Sequence, residues 1–74
     1  MLIELIASVL DVEPTVLSED SGRETFEAWD SLAHLNIVSA VEETFAVVFS
    51  SAEMRELTSV AKLAQALNSR GISA

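Results

Sequence analysis

The chain has no cysteine, which excludes a disulfide framework, a thiolate metal site and a cysteine nucleophile, and gives no reason to look for an oxidising compartment. The expected address is cytoplasmic. Basic residues are scarce as well. Four of them against twelve acidic ones leave a formal charge of −8, and such a surface repels nucleic-acid phosphates and anionic lipid alike. Basic protein surfaces are therefore the expected partners. Long apolar runs are missing too: Glu4 interrupts the apolar start from Met1 to Leu10, which also lacks the basic flank of a targeting peptide. No membrane insertion is expected, and the segment reads as the first helix of the folded domain. With 74 residues the chain can bury only about 60 to 65% of its unfolded surface, enough for a core but hardly for a catalytic cleft. One domain over residues 1–74 follows.

Proline and glycine are rare, one and two residues respectively, so each punctuates the chain where it falls. Leu2, Leu5, Ile6 and Val9 recur at the helical period, with Ile3 and Leu10 widening the stripe. Pro14 predicts that this helix stops near residues 11–13. From Thr15 to Asp30 there is no sustained period, and a loop of that length needs anchors, for which Val16, Leu17 and Phe26 are the candidates. The next helix opens at Asp30 or Ser31, either of which can cap it, and carries the stripe Leu32, Leu35, Val38, Val41 and Phe45 with Ile37 beside it. The run from Phe45 to Phe49 has strand-like composition but no second run to pair with, so it reads as a loop burying Val47 and Phe49. Ser50 and Glu53 have the spacing of a capping box, predicting a short helix over about Ala52–Leu57 that buries Met54 and Leu57. Thr58 and Ser59 precede a last stripe of Val60, Leu63, Ala64 and Leu67, which ends at Arg70-Gly71. The expected fold is all-α, a small monomeric bundle of three main helices plus one short helix.

Locally, Asp30-Ser31-Leu32 reads as a helix cap. Its surroundings are more specific. The motif runs Asp30-Ser-Leu-Ala-His-Leu-Asn-Ile-Val-Ser-Ala-Val-Glu-Glu-Thr-Phe45 after an acidic loop and continues through Val47, Phe49, Leu57 and Thr58-Ser59-Val60. In this order the chain resembles the acyl carrier proteins over essentially its whole length. The resemblance implies that Ser31, flanked by Asp30 and Leu32, receives 4′-phosphopantetheine from coenzyme A through a separate phosphopantetheinyl transferase. The arm's thiol then carries acyl groups as thioesters, supplying the reactive group that a cysteine-free chain lacks. No catalytic residue is implied, and the protein is expected not to be an enzyme.

The same resemblance implies acyl-pocket positions at Phe26, Val38, Val41, Phe49, Met54, Leu57 and Leu63, each of which also reads as plain core. It implies a partner face of Trp29, Asp30, His34, Leu35, Asn36, Glu42 and Glu43, presented to acyl-activating, acyl-transfer or synthase enzymes with basic docking surfaces. Ala33 and Asn36 stand where carriers of fatty acid synthesis often have acids, and Trp29 and His34 depart from that version too. A specialised fatty acid, polyketide or other acyl pathway is favoured over the housekeeping one. His34, three residues after Ser31, reads as solvent-facing rather than as a catalytic partner, since no oxyanion loop accompanies it. Glu42-Glu43 and Glu53 with Glu56 lack cation-loop spacing, so no metal is expected. Two other readings stand beside the acyl carrier: an aminoacyl or peptidyl carrier of a nonribosomal pathway, though Trp29-Asp30-Ser31 lacks the glycines common there, and an acidic helical interaction module in which Ser31 is only a cap.

Overall fold

The computed structural model of the chain describes residues 1–73 and contains four α-helices: α1 Leu2–Leu10, α2 Ser31–Phe45, α3 Ser51–Glu56 and α4 Val60–Ser69, with a single 3-10 turn at Pro14–Val16. Among the described residues no strand forms, and no helix is long and apolar enough to cross a membrane. The all-α expectation holds, including three main helices and one short one.

The helix ends follow from local chemistry. α1 stops where Asp11 turns left-handed at φ 57°, letting the Val12 amide reach back to the Ala7 carbonyl at 3.0 Å, a closure that satisfies carbonyls the helix cannot. α2 ends in the same way at Ala46, φ 55°, with Val47 donating to the Glu42 carbonyl. The Ser50–Glu53 capping box forms with both bonds in place, at 3.1 Å and 3.0 Å, and Ser59 caps α4 by accepting from the Lys62 amide.

One core joins the helices. Leu2, Ile6 and Ala7 of α1 meet Ile37, Val38 and Val41 of α2 and Val60, Leu63 and Leu67 of α4, with Leu17, Trp29, Phe49 and Leu57 from the connections. Leu17 and Phe26 anchor the long connection as expected, but Val16 is 55% exposed, because the 3-10 turn points it away from the bundle. Phe49 is buried and Val47 half-buried in the loop between α2 and α3.

The expected α2 stripe is buried at Ile37, Val38 and Val41 and departs from the core only at its start. Leu32 and Leu35 are 69% and 56% exposed, and the buried face runs through His34, Ile37, Val38 and Val41. Those positions recur at three and four residues, whereas a stripe that advances by threes precesses around a 3.6-residue helix, so that Leu32 and Leu35 lie off the face that Val38 and Val41 share.

α3 buries no residue fully and is held at its ends. Arg70 from the end of α4 pairs with Glu53 at 2.8 Å and lies 4.7 Å over the Phe49 ring. The Ser50 backbone amide, and then the Arg70 guanidinium, hold the Glu53 carboxyl below its ordinary value of 4.5. A folded-state value below the unfolded one gives stability that is present above the ordinary glutamate range and lost as pH falls through the folded value. NMR amide shifts of residues 50–56 should therefore move toward random coil below about pH 4.5 while the α1 and α2 amides stay native. Simultaneous loss of all the helices would contradict this local role.

Candidate functional site

A short-range cap places Ser31 at an exposed helix start. Asp30 is the cap, its carboxylate accepting from the Ala33 amide at 2.9 Å. Ser31 is the first helical residue, with its side chain in solvent. Its hydroxyl is thus not used for capping. The amides of Ser31 and Leu32 have no intrahelical acceptor, and the helix dipole adds partial positive charge at this end.

Arg23 contributes what the sequence did not suggest. Its Nη2 donates to Ser31 Oγ at 2.9 Å, although eight positions separate the two residues. The long connection brings it there because Gly22 packs against the backbone before α4. The Arg23 amide donates to the Thr58 carbonyl at 3.0 Å, and the Val60 and Ala61 amides donate back to Ser21 and Glu19. Only a residue without a side chain fits, since a Cβ on Gly22 would lie 2.2 Å from the Thr58 carbonyl oxygen. Gly22 was the one available signal, and its meaning depended on pairing with Ser59, 37 residues away along the chain.

Beside Ser31 opens a shallow groove of about 460 Å³ lined by Arg23, Ser31, His34, Leu35, Met54 and Arg55. Of the expected acyl-pocket residues, Met54 alone lines it. Val38, Val41, Phe49, Leu57 and Leu63 are packed into the core and Phe26 packs against it.

The expected partner face divides. Trp29 and His34 cannot be read directly by a partner, because they are 1% and 5% exposed. Their rings stack with centroids 6.3 Å apart. The indole N–H, which can only donate, bonds His34 Nδ1 at 3.1 Å. That makes Nδ1 the acceptor and leaves Nε2–H to donate to the Met54 carbonyl at 2.6 Å. His34 is therefore not solvent-facing but links the residue before the motif to α3, the polar capacity of both rings being used within the fold. Glu42 is half-buried, its carboxylate accepting the Phe49 amide at 2.8 Å. What remains exposed on one stripe of α2 is Leu32, Leu35, Asn36, Ser39 and Glu43, two apolar residues beside the serine with polar ones farther along.

An exposed hydroxyl at a helix start, a guanidinium with spare donors and an open groove with an apolar floor fit a phosphate ester bearing a long, mostly neutral arm. The family model described as the phosphopantetheine attachment site matches residues 2–67. Among curated protein sequences none matches significantly. Among solved structures, the NMR structure of the holo acyl carrier protein from Geobacter metallireducens is similar with a TM-score of 0.80 and 28% identity, over 92% of this chain and 78% of that one. A family match over residues 2–67, joined to the same helical bundle in a holo carrier, shows that the chain belongs to the phosphopantetheine-attachment family of acyl carrier proteins, non-catalytic carriers of a covalent 4′-phosphopantetheine.

Proposed function

We propose that Ser31 is the attachment point and that residues 1–74 act as one cytoplasmic carrier domain, presenting acyl thioesters to enzymes of a specialised acyl pathway. The observation that carries the reading is the Ser31 hydroxyl, exposed at the first residue of α2 and left free by the Asp30 cap. Attachment forms a bond between Ser31 Oγ and the phosphorus of coenzyme A that bears the pantetheine. The pyrophosphate bond breaks, the nucleotide bisphosphate leaves with the electron pair, and the hydroxyl proton passes to the transferase. The thiol at the end of the arm supplies the thioester chemistry. This chain's own residues hold the ester oxygen, keep the helix start capped and leave the groove beside it open.

Partner enzymes would meet the exposed stripe of α2. Leu32 and Leu35 give it an apolar centre, which contributes affinity, and Asn36 and Glu43 add a polar and acidic edge that steers basic surfaces. Incubating the apo protein with coenzyme A and a broad-specificity phosphopantetheinyl transferase should add the mass of one phosphopantetheine, and Ser31→Ala should gain none. Equal gain in both proteins would place the arm elsewhere and sink the assignment. Because Asp30 and not Ser31 caps the helix, Ser31→Ala should change the melting temperature by less than the several degrees that loss of a true cap would produce.

A further inference from the structure

The four basic residues of this acidic chain divide by location. Arg70 is engaged with Glu53, the Val48 and Ala66 carbonyls and the Phe49 ring. Lys62 donates to Thr58 Oγ1 at 3.4 Å. Arg23 and Arg55 both line the groove at Ser31. Among the described residues Arg23 makes no ion pair, and its guanidinium spends a single donor on Ser31 Oγ. A long charged side chain is thus held against a neutral hydroxyl, in a protein whose carboxylates outnumber its cations, with most of its donors unused.

We infer that Arg23 is a positioning residue for the phosphodiester of the arm. The inference rests on Ser31 as the attachment point. Its N–H already lies 2.9 Å from the oxygen that becomes the ester oxygen, so the fork needs no backbone movement to reach the non-bridging oxygens bound to the same phosphorus. A planar guanidinium binds such oxygens through two parallel bonds, which fix direction as well as charge. Two consequences follow. The new negative charge, added beside the Asp30 carboxylate in a chain already at −8, is offset locally instead of adding to the net repulsion. Fixing the phosphodiester also restricts the first bonds of the arm, beside which the groove of Leu35, Met54 and Arg55 opens. The backbone contact of Gly22 with Thr58 is what holds the guanidinium in register for this.

The test compares apo and fully modified protein for wild type, Arg23→Gln and Arg23→Lys. Arg23 is exposed and the substitutions leave the core untouched, so all three proteins fold. In Arg23→Gln the modified form should melt about 4 °C lower relative to its apo form than in wild type, at low salt. The difference should shrink as salt screens it. The ³¹P resonance of the phosphodiester should differ between wild type and Arg23→Gln, and Arg23→Lys should restore part of the melting difference but not the ³¹P position. An identical modified-minus-apo melting difference and an identical ³¹P resonance in wild type and Arg23→Gln would overturn the role of Arg23 while leaving the attachment site intact. Failure of wild type to take the arm at all would overturn both.

Discussion

Trp29→Ala is expected to remove a large share of the protein's stability and to lower its melting transition by more than about 10 °C. The indole is 1% exposed, and burying roughly 150 to 250 Å² of aromatic surface at about 25 cal/mol per Å² contributes on the order of 4 to 6 kcal/mol. Truncation of a buried tryptophan costs about 3 to 5 kcal/mol, and here it also strips the donor from His34 Nδ1. A chain of 74 residues has a total stability of roughly 4 to 11 kcal/mol at 0.05 to 0.15 per residue, so one substitution removes a large share of it. Trp29→Phe separates the two contributions. It keeps most of the apolar surface but leaves a buried imidazole nitrogen without its donor, for an expected loss of about 1 to 3 kcal/mol. Urea denaturation followed by circular dichroism measures both, and a loss below about 1 kcal/mol for Trp29→Ala would mean that the indole is not the central packing residue described above.

Gly22→Ala should have the next largest effect. The added Cβ would fall 2.2 Å from the Thr58 carbonyl oxygen and 3.0 Å from Ser59 Cα. Both are backbone atoms, and the Thr58 carbonyl is itself held by the Arg23 amide, so no flexible side chain can yield. The connection must lift away from α4, weakening the Arg23–Thr58, Val60–Ser21 and Ala61–Glu19 bonds together. At about 1 kcal/mol for each hydrogen bond, the expected loss is roughly 2 to 4 kcal/mol. Native-state hydrogen exchange should report it as faster exchange at Arg23, Val60 and Ala61, with the Ile37 and Val38 amides changed only by the global loss. Unaltered exchange at the three contact amides would mean that the backbone accommodates a methyl group at no cost. The same displacement would draw the Arg23 guanidinium from Ser31, so this variant should also lose the ³¹P signature that distinguishes wild type from Arg23→Gln.

Much of the architecture was legible in the chain because it is set by neighbours in sequence. The α1 stripe, the stop before Pro14, the Ser50–Glu53 capping box, the Ser59 cap and the end of α4 at Arg70-Gly71 all depend on interactions within a few residues. Ser31 belongs with them, since its place at a helix start and the ordered motif around it are properties of the linear sequence. The first turn of the α2 core face was not legible. Leu32 and Leu35 are more apolar than His34, and a stripe drawn by hydropathy takes them inward. The structure turns His34 inward instead, because Trp29 from the connection before α2 and the Met54 carbonyl of α3 satisfy both of its nitrogens and remove the cost of burying it. Glu42 changed roles for a similar reason, its carboxylate meeting an amide in the loop that follows.

Interactions between near neighbours in this acidic chain suffice for its helices, their caps and a serine offered at the start of α2. The choice of Asp30 over Ser31 as the cap is settled within three residues, whereas the burial of Trp29 and His34 and the placing of Arg23 against the Ser31 hydroxyl arise only when distant segments pack together. Helix periods and caps are local free energies that any chain with this pattern would obey. A guanidinium 2.9 Å from Ser31 Oγ exists because Gly22 lets the connection settle against Thr58, a contact between segments far apart in the chain that no local period encodes.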